Sequence, residues 1–237
     1  MNVGLYTGTT GTLGQAEYQA VIAKNLANIN TVGYKKAIAV FEVPDQARAK
    51  EGNGSTLNSV VTDYSQGVIE YTGNDLDVAI TGKGFFVLQA ENGNTIYSRK
   101  GQFTMSRDRK IVTQEGWSLM GMRAEIFIPK DVKAINIKTD GSLYVDGKFL
   151  EKIKVVAPGD DYLKLESIGA SAFKTSDGSV LDDATEFEVA HRYLEKANVN
   201  AIDEMVNMIA NMRGYQTGYK VTDSISDTLK KLIQLGA

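Results

Sequence analysis

The chain contains no cysteine and few residues that interrupt regular structure. Without cysteine among its 237 residues, it has no disulfide, no thiolate nucleophile and no cysteine-ligated zinc, a composition that suits passage through an oxidising compartment. Its prolines are Pro44, Pro129 and Pro158. Long stretches at both ends are therefore free of the strongest helix breaker and can form long helices.

Strong charge and long apolar runs are also missing. The formal net charge is −3 with 23% charged residues, which gives no basic surface that neutralises phosphates, so we expect protein partners and no nucleic acid. The longest early apolar run is AVIA at 20–23, and the first basic residue is Lys24. We therefore expect neither membrane insertion nor a cleaved secretory signal.

The N-terminal segment has apolar residues at alternating spacings of three and four. This heptad spacing predicts a helix with one narrow seam against a partner helix. Alanine buries little area, and each of the four glycines before residue 15 costs about 1 kcal/mol in a helix interior, so we expect this helix to fray in the monomer. The seam residues are Leu13, Ala16, Ala20, Ala23 and Ala27.

The C-terminal segment repeats this pattern with larger side chains. We predict a helix over 201–234, capped by Asn198 or Asn200 and softened by Gly214 and Gly218. At about 1.5 Å per residue it would be roughly 50 Å long, more than a compact domain of this size needs, so it must find another surface. Its apolar face comprises Ile202, Met205, Ile209, Met212, Tyr215, Tyr219, Ile225, Leu229 and Leu232.

Between the ends the apolar period changes from helical to two. Short β-rich runs are separated by the dipeptides Asn92-Gly93, Asp140-Gly141, Asp146-Gly147 and Asp177-Gly178, which accept the positive φ of tight hairpins and predict an antiparallel sheet. Residues 44–66, with Gly52, Asn53, Gly54 and Ser55, are expected to form an exposed connector before that sheet.

One motif favours an enzyme instead. TGTTGTLG at 7–14 matches the loop that binds a dinucleotide pyrophosphate in short-chain dehydrogenases. That loop needs a buried strand before it and an acidic residue about 20 positions later, but only VGLY precedes it and the next acid after Glu17 is Glu42. Tyr144 and Lys148 have the Tyr-x-x-x-Lys spacing but span a turn. We keep the dehydrogenase as the alternative function.

The remaining chemical groups do not form a recognisable site. Asp75 and Asp77 lack a second acidic cluster nearby, His191 is the only histidine, and Gly82-Lys83-Gly84 lacks the Ser or Thr of a phosphate-binding loop. We predict a strand entrance at 82–84. We expect no catalytic, cofactor-binding or metal-binding residues.

Four motifs, in order along the chain, resemble the bacterial flagellar rod and hook proteins, most closely the rod subunits. They are NLANINTVGYKK at 25–36, GNDLDVAITGKGFF at 73–86, YSRKGQF at 97–103, and LEKANVN at 194–200 followed by EMVNMI at 204–209. The first contains the Asn, Thr and Gly residues that end a helix and turn the chain.

This resemblance implies an α+β fold in which long N- and C-terminal helices pair as a coiled-coil layer and a central, mainly antiparallel β domain is inserted between them. The implied domains are a helical assembly domain of 1–35 and 195–237, an extended connector of 36–71, and a β domain of 72–194. The two apolar helical faces given above, together with Asn28, are the implied assembly interface.

The resemblance also implies a function. The chain would be a structural subunit that stacks helically with copies of itself and other flagellar axial proteins into a hollow shaft transmitting torque. It would be exported by the flagellar type III apparatus, without a cleaved signal peptide, to the periplasmic rod. The short length and the approach VIEY at 68–71 favour the proximal rod over the distal rod or the hook.

Overall fold

The computed structural model describes residues 3–42, 56–159, 162–169 and 171–235. Most of the connector predicted over 44–66, including its Gly52–Ser55 segment, lies outside the described residues. The chain packs as two compact units. The first consists of 1–29, 36–64 and 199–237, and the second of 30–35 and 65–198.

Helix α1 of the first unit runs Val3–Ala27. Its buried positions include Val21, Ile22 and Asn25, whereas Leu13 is 60% exposed and the four seam alanines are also exposed. The helix therefore packs through the side opposite the predicted seam. The reason is physical: alanine offers little area to bury, and valine and isoleucine offer more.

Helix α2 runs Ala201–Leu235, and Asn200 caps it by accepting a hydrogen bond from the backbone N–H of Ile202 at 3.0 Å. It lies against α1 through a polar and small face. Asn211 Nδ2 donates to the carbonyl of Gln15 at 2.8 Å and to Gln19 Oε1 at 2.9 Å. A Cβ at Gly214 would lie 2.9 Å from Gln15 Nε2, so this glycine permits the close approach of α1.

The first unit also contains an antiparallel ribbon of β1 (Ala37–Glu42) and β2 (Thr56–Thr62). The ring of Phe41 on β1 packs edge-on against Tyr18 of α1, with 5.5 Å between centroids. The ribbon is held to the helix by this aromatic contact and by the buried Ala37.

The described residues of the second unit form antiparallel strands in four sheets. The members of the largest sheet are β5 (Phe85–Gln89), β6 (Thr95–Ser98), β7 (Thr104–Met105), β8 (Ile111–Val112), β9 (Ser118–Leu119), β13 (Val155–Ala157), β14 (Leu165–Ser167), β15 (Ala172–Thr175) and β16 (Asp182–Asp183). The path of this sheet is β14-β15-β6-β5-β9-β8-β7, so β5 is its middle strand, and β13 pairs with β5 and β16.

Three smaller sheets complete this unit. One is the meander β10 (Ile135–Ile137), β11 (Ser142–Val145) and β12 (Lys148–Lys152), and the other two pair β4 (Val78–Gly82) with β17 (Phe187–His191) and β3 (Ile69–Tyr71) with β18 (Tyr193–Glu195). A short 3-10 helix covers Tyr162–Lys164. The turn between β11 and β12 is at Asp146 and Gly147, with φ of 48° and 80°, which confirms the hairpin predicted there.

The core of the second unit is a cluster of buried aliphatic and aromatic side chains from these sheets. Phe86 and Phe103 meet edge-on with centroids 5.5 Å apart, and the side chains of Ile80, Leu88 and Leu143 are fully buried. This apolar cluster fixes the positions of the strands that carry the polar groups described below.

The predicted fold class is wrong. Within the described residues the chain has two α-helices, and the N-terminal one, with 25 residues, is shorter than the C-terminal one, with 35; β-sheet forms the larger part of the fold. The alanine seam faces solvent, so α1 is not a long coiled-coil helix. The predicted domain limits stay a prediction, and packing assigns 36–64, with β1 and β2, to the helical unit.

Candidate assembly surface and the contacts that position it

The apolar residues predicted on α2 lie on an open surface of the first unit. Those from Ile202 to Tyr219 are between 40% and 69% exposed, and Ile225 is half-buried. The side chains of Leu229 and Leu232 lie outside the described ones. The helix keeps its polar and small residues against α1, so the apolar side chains from Ile202 to Tyr219 are only partly covered within the described part of the unit.

A groove of about 260 Å³ runs along this surface, and its walls are almost entirely apolar. It is lined by Gln15, Ala16 and Gln19 of α1 and by Asn211, Met212 and Tyr215 of α2. Three predicted interface residues, Ala16, Met212 and Tyr215, are thus brought together by the structure. Asn28 lies apart from them and donates to the carbonyl of Lys24 at 2.8 Å, at the end of α1.

Asn25 fixes the ribbon to α1. Its Nδ2 donates to the Ala37 carbonyl at 2.8 Å, and its Oδ1 accepts from the Ala37 N–H at 2.9 Å. The same Nδ2 lies 3.4 Å from Glu204 Oε2, and Lys36 Nζ lies 2.6 Å from Glu204 Oε1. Asn25 and Glu204 are almost fully buried, so these bonds hold α1, β1 and the start of α2 in place.

A second buried polar cluster lies in the sheet unit. Lys35 Nζ lies 2.6 Å from Glu195 Oε1, with both side chains at most 1% exposed. Arg99 Nη1 approaches Glu195 Oε2 at 3.2 Å and also donates to the Ile80 carbonyl at 3.1 Å. Burial lowers the pKa of Arg99, and the Glu195 carboxylate opposes that shift. The Glu195 carboxylate thus forms ion pairs with both buried cations, Lys35 and Arg99.

The backbone of Gly33 packs closely against the residues of this cluster. Its φ is +68°, and a Cβ there would lie 2.5 Å from the backbone carbon of Arg99. Its N–H donates to the carbonyl of Glu195 at 2.8 Å. Only glycine fits both the left-handed backbone and the close approach.

Periodicity did not single out Lys35, Glu195, Arg99 or Glu204. They are polar residues buried in otherwise ordinary segments, and they fall inside the motifs at 25–36, 97–103, 194–200 and 204–209. Glu204 also lies in the first turn of α2, where the helix dipole favours a negative charge. A charged residue is retained in a buried position only when it has a partner, but a sequence alone does not identify that partner.

The groups considered for catalysis have structural roles. Asp75 forms an ion pair with Arg192, and Asp77 accepts hydrogen bonds from Thr72 Oγ1 at 2.7 Å and Asn74 Nδ2 at 3.0 Å. A ring nitrogen of His191 lies 2.9 Å from the Asp75 carbonyl. Across the described ranges no three His, Cys, Asp or Glu side chains are grouped to hold a metal ion.

The dinucleotide-loop match falls inside a helix. Residues 7–14 all belong to α1, as do the described residues directly before them, so this stretch forms no loop to receive a pyrophosphate. Tyr144 and Lys148 lie on opposite strands of a hairpin. Neither described helix combines the length and apolar character needed to cross a bilayer.

Family models match three separate parts of the chain. The model described as "Flagella basal body rod protein" matches 5–35, "Flagellar hook protein FlgE/F/G D1 domain" matches 79–145, and "Flagellar basal body rod FlgEFG protein C-terminal" matches 190–235. Together these matches cover nearly all of both helices and the first part of the large sheet. They also include the residues of the two polar clusters, except for Lys36 and Ala37.

Curated relatives align over nearly the whole chain. The chain is 32% identical to the flagellar basal-body rod protein FlgG of Agrobacterium fabrum, over 92% of this chain and 93% of that protein. It is 30% identical to FlgG of Buchnera aphidicola from Schizaphis graminum, over 98% of each, and 27% identical to the rod protein FlgF of Caulobacter vibrioides, over 99% and 98%. The chain belongs to the flagellar basal-body rod protein family, a family of structural proteins and not of enzymes.

Proposed function

We propose that this rod-family chain is a structural subunit of the flagellar rod that assembles through the open apolar surface of α2 and the neighbouring alanine side of α1. We call the exposed residues Ile202, Met205, Ile209, Met212, Tyr215 and Tyr219 the α2 face. The observation that carries the proposal is that this face is 40–69% exposed in the subunit, because a contiguous apolar surface on a water-soluble unit is typical of a protein interface.

The packing inside the subunit supports this assignment. Glu204, Asn211, Gly214 and Gly218 occupy the side of α2 that meets α1 or is buried, so α1 leaves the apolar side of α2 uncovered. The exposed alanines of α1 offer a smooth surface on which a neighbouring helix packs closely. The two surfaces differ, and a contact between unlike surfaces repeats into an open helical filament when its rotation does not close into a ring.

The expected partners follow from the family. They are copies of this chain and other flagellar axial proteins. We expect the chain to be exported by the flagellar type III apparatus to a periplasmic rod.

The preference for the proximal rod stays a prediction. Electron microscopy of basal bodies carrying a labelled chain tests it, since label on the membrane-proximal part of the rod supports it and label only at the far end contradicts it.

Assembly itself is tested with one charged substitution. Ile209→Asp places a carboxylate in the α2 face, where burial against a neighbour would cost several kcal/mol. The variant should remain folded as a subunit but fail to sediment as filaments under conditions in which the unmodified chain assembles. The control is Val180→Asp, at an apolar site that is 73% exposed in the sheet unit. Assembly of Ile209→Asp at the unmodified rate would contradict the proposal.

A further inference from the structure

The α2 face carries two exposed methionines on either side of Ile209. Met205 and Met212 are 45% and 55% exposed, and a spacing of seven residues places them on one side of the helix. Met208 between them is half-buried. Three of the chain's seven methionines lie within 205–212, so the assembly surface is rich in a side chain that reacts with oxidants.

We infer that Met205 and Met212 are oxidation sites that control assembly, so that peroxide oxidation of the free subunit prevents it from joining the filament. The inference rests on the proposed function, because it requires the α2 face to be the docking surface. In the assembled filament the same two side chains are covered by the neighbour, so the free subunit is the sensitive form.

The reaction needs only the thioether and a hydroperoxide such as hydrogen peroxide. The sulfur attacks one peroxide oxygen, a sulfur–oxygen bond forms, and the oxygen–oxygen bond breaks. The sulfur gives up two electrons, and the departing hydroxide takes the proton of the transferred oxygen and leaves as water. The product is a sulfoxide, which replaces a flexible apolar group with a polar, hydrogen-bond-accepting one.

Because Met205 and Met212 are exposed in the free subunit, their oxidation changes the interface and not the packing inside the subunit. In the free subunit a sulfoxide at 205 or 212 stays hydrated, so the packing of α1 and α2 through Asn211 and Gly214 is left intact. At an assembled interface the same oxygen loses its water and meets apolar neighbours, which is unfavourable without a new donor. Oxidation is therefore expected to affect assembly and not folding.

The chain provides its own matched control. Met105 and Met122 lie in the sheet unit and are 50% and 46% exposed, close to the values of Met205 and Met212. Peroxide should convert all four at similar rates. Only the pair on α2 should change assembly.

The experiment compares three full-length chains after hydrogen peroxide treatment: the unmodified chain, M205L/M212L and M105L/M122L. Leucine keeps the apolar character and approximate volume of methionine but cannot be oxidised in this way. Peptide mass spectrometry follows each methionine, sedimentation and electron microscopy follow assembly, and thermal melting follows folding. We expect at least a tenfold rise in the concentration needed for assembly of the unmodified chain and of M105L/M122L, and no rise for M205L/M212L.

Treatment with methionine sulfoxide reductases should restore assembly of the oxidised chain. The inference is overturned if the oxidised unmodified chain assembles normally, if M205L/M212L loses assembly equally, or if reduction brings no recovery. In those cases the proposed function still stands when Ile209→Asp blocks assembly. If Ile209→Asp assembles normally, the proposed function itself fails.

Discussion

Lys35 and Glu195 form a 2.6 Å ion pair in which neither side chain is more than 1% exposed to solvent. The two residues are 160 positions apart in the chain, so this contact joins the segment that follows α1 to the last strand of the sheet unit. Because Glu195 also binds Arg99, its carboxylate is a counter-charge shared by two buried cations.

Replacing Glu195 with glutamine should therefore destabilise the sheet unit strongly. The change keeps the shape but removes the negative charge that Lys35 and Arg99 share, and breaking a buried ion pair in this way costs about 3–5 kcal/mol of unfolding free energy. Urea unfolding followed by the fluorescence of Trp117, the only tryptophan, measures the loss. The control is Glu70→Gln, which breaks an ion pair with Lys196 whose side chains are 56% and 58% exposed, with an expected loss of less than about 1 kcal/mol. Equal losses would refute the role given to Glu195.

Gly33→Ala should be costly for two separable reasons. The positive φ is strained for alanine by about 1–2 kcal/mol, and the added Cβ would meet the Arg99 backbone at 2.5 Å, which adds about 1–3 kcal/mol of overpacking. Gly93→Ala is the matched control, because Gly93 has φ +82° and nothing within 4 Å of a Cβ. The same fluorescence measurement should give the larger loss for Gly33→Ala, and a similar loss for both would exclude the close approach as a cause.

Asn25→Ala should loosen the β1–β2 ribbon. The Ala37 N–H and carbonyl would both lose their buried partner, at about 1–3 kcal/mol for each unsatisfied group. Hydrogen exchange of the Ala37 amide reports this directly and should become faster. Asn28→Ala, which removes the bond to the Lys24 carbonyl, should leave that amide unchanged. If Ala37 exchange is the same in Asn25→Ala and the unmodified chain, Asn25 does not hold the ribbon.

Ala23→Lys tests the alanine side of α1. Ala23 is exposed, so the lysine should change the stability of the subunit by no more than about 0.5 kcal/mol while blocking close packing of a neighbour. Sedimentation should show loss of assembly with an unchanged melting curve. Ala134→Lys, at an exposed alanine of the sheet unit, should assemble normally. Normal assembly of Ala23→Lys would remove α1 from the proposed interface.

The sequence predicted features that depend on local chemistry. The hairpin at Asp146-Gly147 followed from residues that accept positive φ. The start of α2 followed from Asn198 or Asn200 as the predicted helix cap, and Asn200 is the residue that caps it. The apolar residues predicted on α2 from Ile202 to Tyr219 are exposed together, and their assignment to an assembly interface stays a prediction. Each of these features is determined by a few neighbouring residues.

Features that depend on distant partners were missed or wrong. The heptad spacing of Ala16, Ala20 and Ala23 predicted a seam against a partner helix, whereas α1 packs within the subunit through its opposite side, where Val21, Ile22 and Asn25 are buried. The place of the alanines in an assembly interface stays a prediction. The spacing of apolar residues shows which positions share a helix face. It does not show how much area each side chain buries or which polar side chains form hydrogen bonds in the fold. The bonds of Asn25 to Ala37 and of Glu195 to Lys35 and Arg99 are determined by the tertiary fold, so periodicity could not reveal them.

The pairing of β3 with β18 and of β4 with β17 has a consequence for the order of folding. Tyr71 lies opposite Tyr193, and Val78 lies opposite His191, whereas most neighbours in the large sheet and the meander are close in sequence. Local hairpins form quickly, and strands separated by more than a hundred residues must wait for the chain between them. At about 5–20 residues per second of synthesis, a nascent chain spends roughly ten seconds with these two strands unpaired. The sheet unit is thus expected to close last at the point where its first and last strands meet.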